Sequence, residues 1–276
     1  MNSPSTWAGV VEDVRRTQSP RGRAQLGQYS VEGVRLIERA IRAGQPPRTL
    51  LISERSLRHR DHRVGELLGQ LDQVGCEVLA VPEGVMLELA GGRNGGLLIA
   101  LCDLPESLSL DEIQRRALSG QGPVLVLVDV EEPGNVGALI RTGLACAASA
   151  VVAVGVTDPF HPKAVRTSMG SVFKMPVARC FEPEPVVQGL TQLKRYAATP
   201  EHGPAPWQRD LSRASALFVG NEAQGLKTEL IDRLDERLTI PMPPGVDSFS
   251  VNAAAAILLY ELQRQAASRA GSSSPG

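Results

Sequence analysis

Cysteine is scarce in this chain and is badly placed for metal or redox work. The four residues (Cys76, Cys102, Cys146, Cys180) lie far apart, form no Cys-x-x-Cys pair and have no neighbouring histidine. That pattern disfavours a structural zinc site and points to buried free thiols. No apolar run approaches the roughly 20 residues that a bilayer crossing needs. The N-terminus lacks a basic-then-apolar leader pattern, so the expectation is a cytoplasmic protein with no membrane partner. No Gly-x-Gly-x-x-Gly follows a predicted strand and no Gly-x-x-x-x-Gly-Lys occurs, which removes support for Rossmann dinucleotide binding and for P-loop chemistry. Lysine is missing from the first 63 residues, which hold twelve arginines and six acids. With a whole-chain net charge of −1, the remainder must be acidic. A basic N-terminal lobe suits an anionic polymer; an arginine-rich solvated surface is the alternative, and charge alone does not separate them.

What is present is an ordinary globular composition, 42% apolar and 21% charged over 276 residues, enough for two modest domains. The first dozen residues and a tail from about Ser268 are expected to fray. Val31 to Gly44 repeats apolar residues at helical spacing. Strands are expected at 49–53, 77–81 and 97–102, with a helix near 64–74, giving a small α/β lobe over 1–105. Residues 106–122, closed by Gly120-Gln-Gly-Pro123, read as a linker. From Val124-Leu-Val-Leu-Val-Asp-Val130 onward, strand and helix patterns alternate: strands at 124–130, 150–155, 195–198, 216–220 and 237–240, and helices at 135–148, 185–193, 227–234 and 251–268. The fold class is α/β, with an open, mostly parallel C-terminal sheet carrying helices on both faces over 123–268, and a short tail over 269–276. Ligands of such sheets bind at the carboxyl ends of the strands.

Three stretches converge on that edge. In Asn135-Val-Gly-Ala-Leu-Ile-Arg-Thr-Gly143, Asn135 follows a Pro-Gly turn and suits an N-cap. Arg141 stands one turn after Gly137 and would lean toward the helix start, to meet a phosphate or ribose, or else simply face solvent. In Phe218-Val-Gly-Asn-Glu-Ala-Gln-Gly225, Gly220 and Gly225 permit close backbone approach, and Glu222 would accept from an amine, hold the loop or cap the next helix. In Ile240-Pro-Met-Pro-Pro-Gly-Val-Asp-Ser-Phe-Ser250, three prolines stiffen a loop. Of Ser248, Ser250 and Asn252, one would cap the last helix and the others could touch a ribose or a carboxylate.

In order and spacing the three stretches resemble the signature motifs of the SpoU/TrmH family of RNA ribose methyltransferases. Asp158 to Phe173 is similar to the family's segment between the first two motifs. Tyr29-Ser-Val-Glu-Gly-Val-Arg35 resembles the opening of its N-terminal substrate-binding domain, which has a ribosomal-protein-like α/β fold. The resemblance implies a C-terminal trefoil knot, a homodimer paired through it, and S-adenosylmethionine as methyl donor without a metal. It places backbone at Gly220, Ile240 and Met242 on the adenosine, Ser248 and Phe249 along the same pocket, and Thr199 at the preceding strand end. Arg141 matches the catalytic arginine and Asn135 the asparagine beside it. Because a neutral guanidine is costly (pKa above about 12), Arg141 is expected to orient the ribose or phosphate and to stabilise alkoxide charge rather than act as base. Arg55, Arg58, Arg60 and Arg63 are expected on RNA phosphates, with Tyr29 as their only neighbour able to stack on a base. Arg166, Glu222 and Asn252 are expected as further substrate contacts.

The sequence departs from the pattern where Ser248-Phe249-Ser250 replaces the usual Ser-Leu-Asn, with Asn252 two residues on. Gly91 to Gly96 also lacks a glutamine often found there. The expected function is 2′-O-methylation of a ribose in structured RNA, ribosomal rather than transfer RNA. An RNA-binding assembly factor with a decayed site and a flavodoxin-like nucleotide-binding enzyme are the rivals.

Overall fold

A computed structural model describes residues 6–59, 61–91 and 98–272. In chain order the elements are α1 (Trp7–Arg16), α2 (Pro20–Leu26), β1 (Gln28–Glu32), α3 (Val34–Arg42), β2 (Thr49–Ser53), α4 (Glu54–Arg58), α5 (His62–Gln73), β3 (Glu77–Val81), α6 (Glu83–Leu89), β4 (Leu98–Asp103), α7 (Leu110–Leu118), β5 (Val124–Val128), α8 (Pro133–Ala145), β6 (Ala150–Val154), α9 (Pro162–Thr167), β7 (Val177–Cys180), α10 (Pro183–Gly189), β8 (Lys194–Ala198), β9 (Ser215–Val219), α11 (Thr228–Ile231), β10 (Glu236–Leu238) and α12 (Val251–Ser272). They form two units: residues 1–105 with 160–173, and residues 106–159 with 174–276. No helix among the described residues is long and apolar enough to cross a membrane.

The first unit is built on a four-stranded sheet of order β1-β4-β2-β3, antiparallel except for the β2–β3 pair. Helix α1 overturns the expectation of a frayed start. Its Val10, Val11 and Val14 are buried with Leu51, Ile99 and Leu101, and Thr6 caps its first turn. The helical pattern read from Val31 is interrupted at its own start: residues 28–32 form β1, and Gly33, at φ 90°, turns the chain into α3. Tyr29 is fully buried and cannot stack on a base. Its ring packs against Phe160 with centroids 5.1 Å apart and near Phe173 at 6.5 Å, while its hydroxyl donates to Gln45 Oε1 at 3.0 Å. Residues 160–173, read with the second half of the chain, thus fold into the first unit.

The second unit is a six-stranded, wholly parallel sheet of order β10-β8-β9-β5-β6-β7. Strands β5, β6 and β9 are buried along their whole length, as expected of central strands with helices on both faces. The chain builds outward from β5 to β7 and then returns to lay β9 against the other side of β5. The loops after β5 and β9 therefore emerge side by side, at the kind of switch point where open α/β sheets bind ligands. Strand β7 escaped the sequence reading, being a four-residue edge strand interrupted by Arg179. The expected linker contains α7, whose Ile113 and Ala117 are buried against Val124 and Val186. Ser109 caps α7 by accepting from Glu112 N at 3.2 Å. Because Ile113 is core rather than linker, Ile113→Ala is expected to destabilise the protein by about 2–5 kcal/mol; a urea midpoint equal to that of the unaltered chain would contradict this packing.

Candidate functional site

Two of the three motif loops, 220–225 and 240–250, meet with the segment after β8 in one cavity of the second unit, and the first motif does not line it. The cavity is walled by Ala198, Thr199, Val219, the loop 220–225, Leu238, Ile240, Met242, Ser248, Phe249 and the start of α12. The structure thus brings together six residues singled out from sequence, Thr199, Gly220, Ile240, Met242, Ser248 and Phe249, and adds Leu238, Ala254 and Leu258, whose apolar walls carried no distinguishing signal. Thr199 continues the chain beyond β8; its N–H donates to Leu238 O at 3.0 Å and its hydroxyl lies 3.2 Å from Thr239 Oγ1.

Gly220 is required for a reason other than ligand approach. A Cβ there would stand 2.3 Å from the Gly225 carbonyl carbon and 2.5 Å from Leu226 N. The loop folds back on itself, with Asn221 and Gly225 exchanging backbone hydrogen bonds and Gly225 at φ 67°. Asn221, which the sequence reading passed over, fastens this loop to its neighbour. Its Nδ2 donates to Asp129 O and to Glu131 Oε1, both at 3.1 Å, and its Oδ1 accepts from Ala223 N and Gln224 N. A side-chain oxygen that gathers the next N–H groups is the ordinary signature of an asparagine-led turn. Asp129 follows β5 at φ 51°, a left-handed conformation that Asp tolerates better than most residues.

Glu222 does hold the loop, one of the roles open to it. Its carboxylate accepts from Glu131 N and Glu132 N, each at 3.2 Å, and from Asn135 Nδ2 at 2.9 Å. Burial pushes its carboxyl up, but the donors at Asn135 and at backbone N–H groups together outweigh burial, and the group lies below its ordinary value. Asn135 is not the N-cap of α8: the helix starts two residues earlier at Pro133, and Glu132 caps it by accepting from Gly134 N at 3.1 Å. The Asn135 amide is thereby left to bridge. An ionised carboxylate can only accept, so Asn135 turns its Nδ2 toward Glu222 and its Oδ1 toward Asn252, whose Nδ2 donates at 3.1 Å. The Asn252 Oδ1 is shielded from solvent and accepts no hydrogen bond among the described residues. Ser250 is the residue that caps α12, accepting from Ala253 N at 3.3 Å.

Arg141 lies on the exposed face of α8, does not line the cavity, and makes no hydrogen bond or ion pair among the described residues. In the first unit the expected phosphate contacts are tied to carboxylates. Arg55 faces Glu83 at 3.4 Å, Arg58 faces Glu54 at 3.3 Å, and Arg63 grips Glu38 with two bonds of 2.8 and 2.6 Å. Arg166 is paired with Glu32 at 3.0 Å. Arg60 and most of the Gly91 to Gly96 stretch fall outside the described residues. No group of three or more His, Cys, Asp or Glu able to hold a metal occurs among the described residues.

The Glu222 clasp has a pH signature. A carboxyl held below its unfolded value adds stability above the unfolded pKa, and that stability is lost as pH falls through the lowered folded value. Glu222→Gln is therefore expected to lower the melting temperature at pH 7, with the gap to the unaltered chain closing under acid. A gap that is constant from pH 7 to pH 3 would count against the clasp.

Residues 122–260 match the SpoU rRNA Methylase family, and residues 10–100 match the MRM3-like substrate binding domain. The chain is 28% identical to the 23S rRNA (guanosine(2553)-2'-O)-methyltransferase RlmP of Bacillus subtilis, covering 92% of this chain and 95% of that one. It is 32% identical to a 23S rRNA (uridine(2479)-2'-O)-methyltransferase of Streptomyces viridochromogenes, covering 88% of this chain and 85% of the relative. The SpoU methyltransferase AviRb from Streptomyces viridochromogenes, solved in complex with the cofactor AdoMet, superposes with a TM-score of 0.82 at 28% identity, over 92% of this chain and 98% of its own. An AdoMet-bound rRNA methyltransferase from Sinorhizobium meliloti gives 0.80 at 27% identity, over 95% and 97%. With half of its length matched by the family model and its whole architecture shared with these structures, the chain belongs to the SpoU rRNA methylase family.

Proposed function

We propose that this protein is a methyltransferase that moves the methyl group of S-adenosylmethionine to the 2′-oxygen of a ribose in RNA, and that the RNA is ribosomal. The observation that carries the reading is the single cavity formed by the loops after β8, β9 and β10 in a chain of this family. The preference for ribosomal over transfer RNA is supported by the Bacillus and Streptomyces relatives, both named for 23S rRNA. A cytoplasmic location goes with that substrate.

The residues present fit the donor. Ala198, Val219, Leu238 and Leu258 offer apolar walls to a purine ring, and peptide groups at Gly220, Ile240 and Met242 can meet its polar edge. Ser248 and Phe249 close the same cavity from the proline-stiffened segment 240–250, the part of the chain that would form the knot expected of this family. When bound, S-adenosylmethionine supplies a methyl group on a cationic sulfur, open to in-line attack. The chain's part is to position and to stabilise charge. Asn135, held in one orientation by Glu222, is suited to orienting the ribose. Arg141, exposed and without a partner among the described residues, is suited to a phosphate or to the charge developing on the attacking oxygen. The Ser250 substitution that motivated a decayed site has a local role as helix cap, and the cavity is intact around it. The homodimer expected from the sequence is proposed to pair through this unit.

Arg141→Ala is expected to reduce methylation of gene-deleted ribosomal RNA by at least about a hundredfold while calorimetry with S-adenosylmethionine stays unchanged. Near-normal turnover by this variant would remove Arg141 from the mechanism.

Within the first unit, two arginines beyond the expected set are also placed for phosphate. Arg35 and Arg42 lie two turns apart on the same exposed face of α3. Together with Arg63 they surround the single carboxylate of Glu38, which lies below its ordinary value first through the Arg63 hydrogen bond and then, with burial opposing, through the charges of Arg63, Arg42 and Arg35. Replacing Arg35 and Arg42 by Gln is expected to weaken RNA binding and flatten its salt dependence by about two ion equivalents, whereas Arg58→Gln, which breaks an exposed pair, should do little. Equal effects from the two changes would refute this placement.

A further inference from the structure

The second unit carries an aromatic and arginine groove that the cavity does not use. Trp207 sits in a short turn, Pro206–Gln208, and is 65% exposed. Tyr196, whose hydroxyl reaches Asp210 O in the segment that follows, is by contrast buried. An indole left in water forgoes about 1.5–3 kcal/mol of burial, yet the turn that presents it is pinned on both sides. Gln208 Oε1 accepts from Ala205 N at 3.0 Å, and Gln265 of α12 accepts from Leu211 N at 2.8 Å. The indole is therefore held outward by a fixed backbone rather than hung on a slack loop.

Guanidiniums border it. Arg209, Arg264 and Arg269 line the same shallow groove as Trp207. Arg209 Nε is bonded to Glu236 Oε1 at 2.5 Å, and Arg264 is bonded twice to Glu261, at 2.7 and 2.8 Å. Arg269 Nη1 donates to Ser212 Oγ at 3.2 Å. The Asp210 carboxyl lies below its ordinary value, first through the Ser212 hydroxyl and N–H and then, against a small burial effect, through the charges of Arg269 and Arg213. Among the described residues, three arginines and one aspartate line the groove, and the bonds to Glu236 and Glu261 fix the direction of two guanidinium planes.

We propose that this groove binds one nucleotide of single-stranded RNA, with the base stacked on Trp207 and the flanking phosphate on Arg264 and Arg269. The chemistry matches both halves of a nucleotide: an indole face for any base, and forked donors for a phosphate. The site is separate from the cavity proposed for S-adenosylmethionine, with which it shares no lining residue. It would hold substrate RNA beyond the methylated nucleotide and so rests on RNA being the substrate.

The chain has two tryptophans, so in a Trp7→Phe background the emission reports Trp207 alone. Titration with an eight-nucleotide oligoadenylate is expected to quench it, while inorganic phosphate at the same charge concentration does not. Trp207→Ala should weaken oligoadenylate binding by about tenfold or more. Arg264→Gln with Arg269→Gln should weaken it and lower the salt slope, and affinity for S-adenosylmethionine should stay constant in all variants as the measure of intact folding. Unquenched emission, or equal RNA affinity with and without the indole, would overturn the assignment and leave the groove to a protein partner. Quenching by phosphate alone would overturn the stacking. If the unaltered protein methylates ribosomal RNA and Trp207→Ala binds RNA equally well, the groove assignment fails alone; absence of methylation by the unaltered protein would instead remove the proposed function.

Discussion

The carboxylate of Glu222 ties together three segments that are remote in sequence: the turn after β9, the turn after β5, and through Asn135 the first turn of α12. Nothing else among the described residues links all three. Two backbone N–H groups just before α8, at Glu131 and Glu132, would otherwise need water. An anion at that point satisfies them and is favoured by the helix dipole. The cost of drawing the carboxylate partly out of water is offset by its donors, which is why the group stays ionised. Because it can only accept, it also dictates which way two amides point. One charge therefore decides the orientation of Asn135 and, through it, of Asn252.

That clasp is possible because of the sheet. Parallel neighbours present their carboxyl ends at one edge, and pairing β9 beside β5 brings two loops 90 residues apart to the same place. The glycine at 220 and the left-handed Asp129 let the loops turn sharply enough to meet. Geometry that serves the fold thus also shapes the cavity, and the distinction between a structural and a functional glycine has little meaning at position 220.

Much of this was legible in the sequence, and the parts that were not share a cause. The runs at Val124 and Ser215 announce buried strands because every residue is apolar or small, and the glycines and prolines of the three loops mark where the chain bends. Helix α7 was hidden because Pro105 and Gly120 suggested a linker, although Ser109 followed three residues later by Glu112 is a capping signal. Strand β1 was hidden because Val31 begins an apolar spacing that suits a helix, and only Gly33 divides it. The ion pairs of Arg55 and Arg63 were hidden for a different reason. Their partners Glu83 and Glu38 lie on other elements, and local charge counting cannot see a neutralising residue contributed by the fold. The same blindness concealed the exposed faces of α3 and of Trp207, whose significance lies in which side of an element meets water.

The division of the chain into units has a genetic consequence. The stretch 160–173 is encoded in the midst of the family-matched half but folds with the first hundred residues, supplying Phe160 and Phe173 to the buried Tyr29 and Arg166 to Glu32. A recombination that swapped either half as an uninterrupted cassette would orphan these rings and this ion pair. Evolutionary shuffling of target-recognition modules onto this catalytic frame must therefore carry a fourteen-residue insert along with the front end, or rebuild that core from scratch.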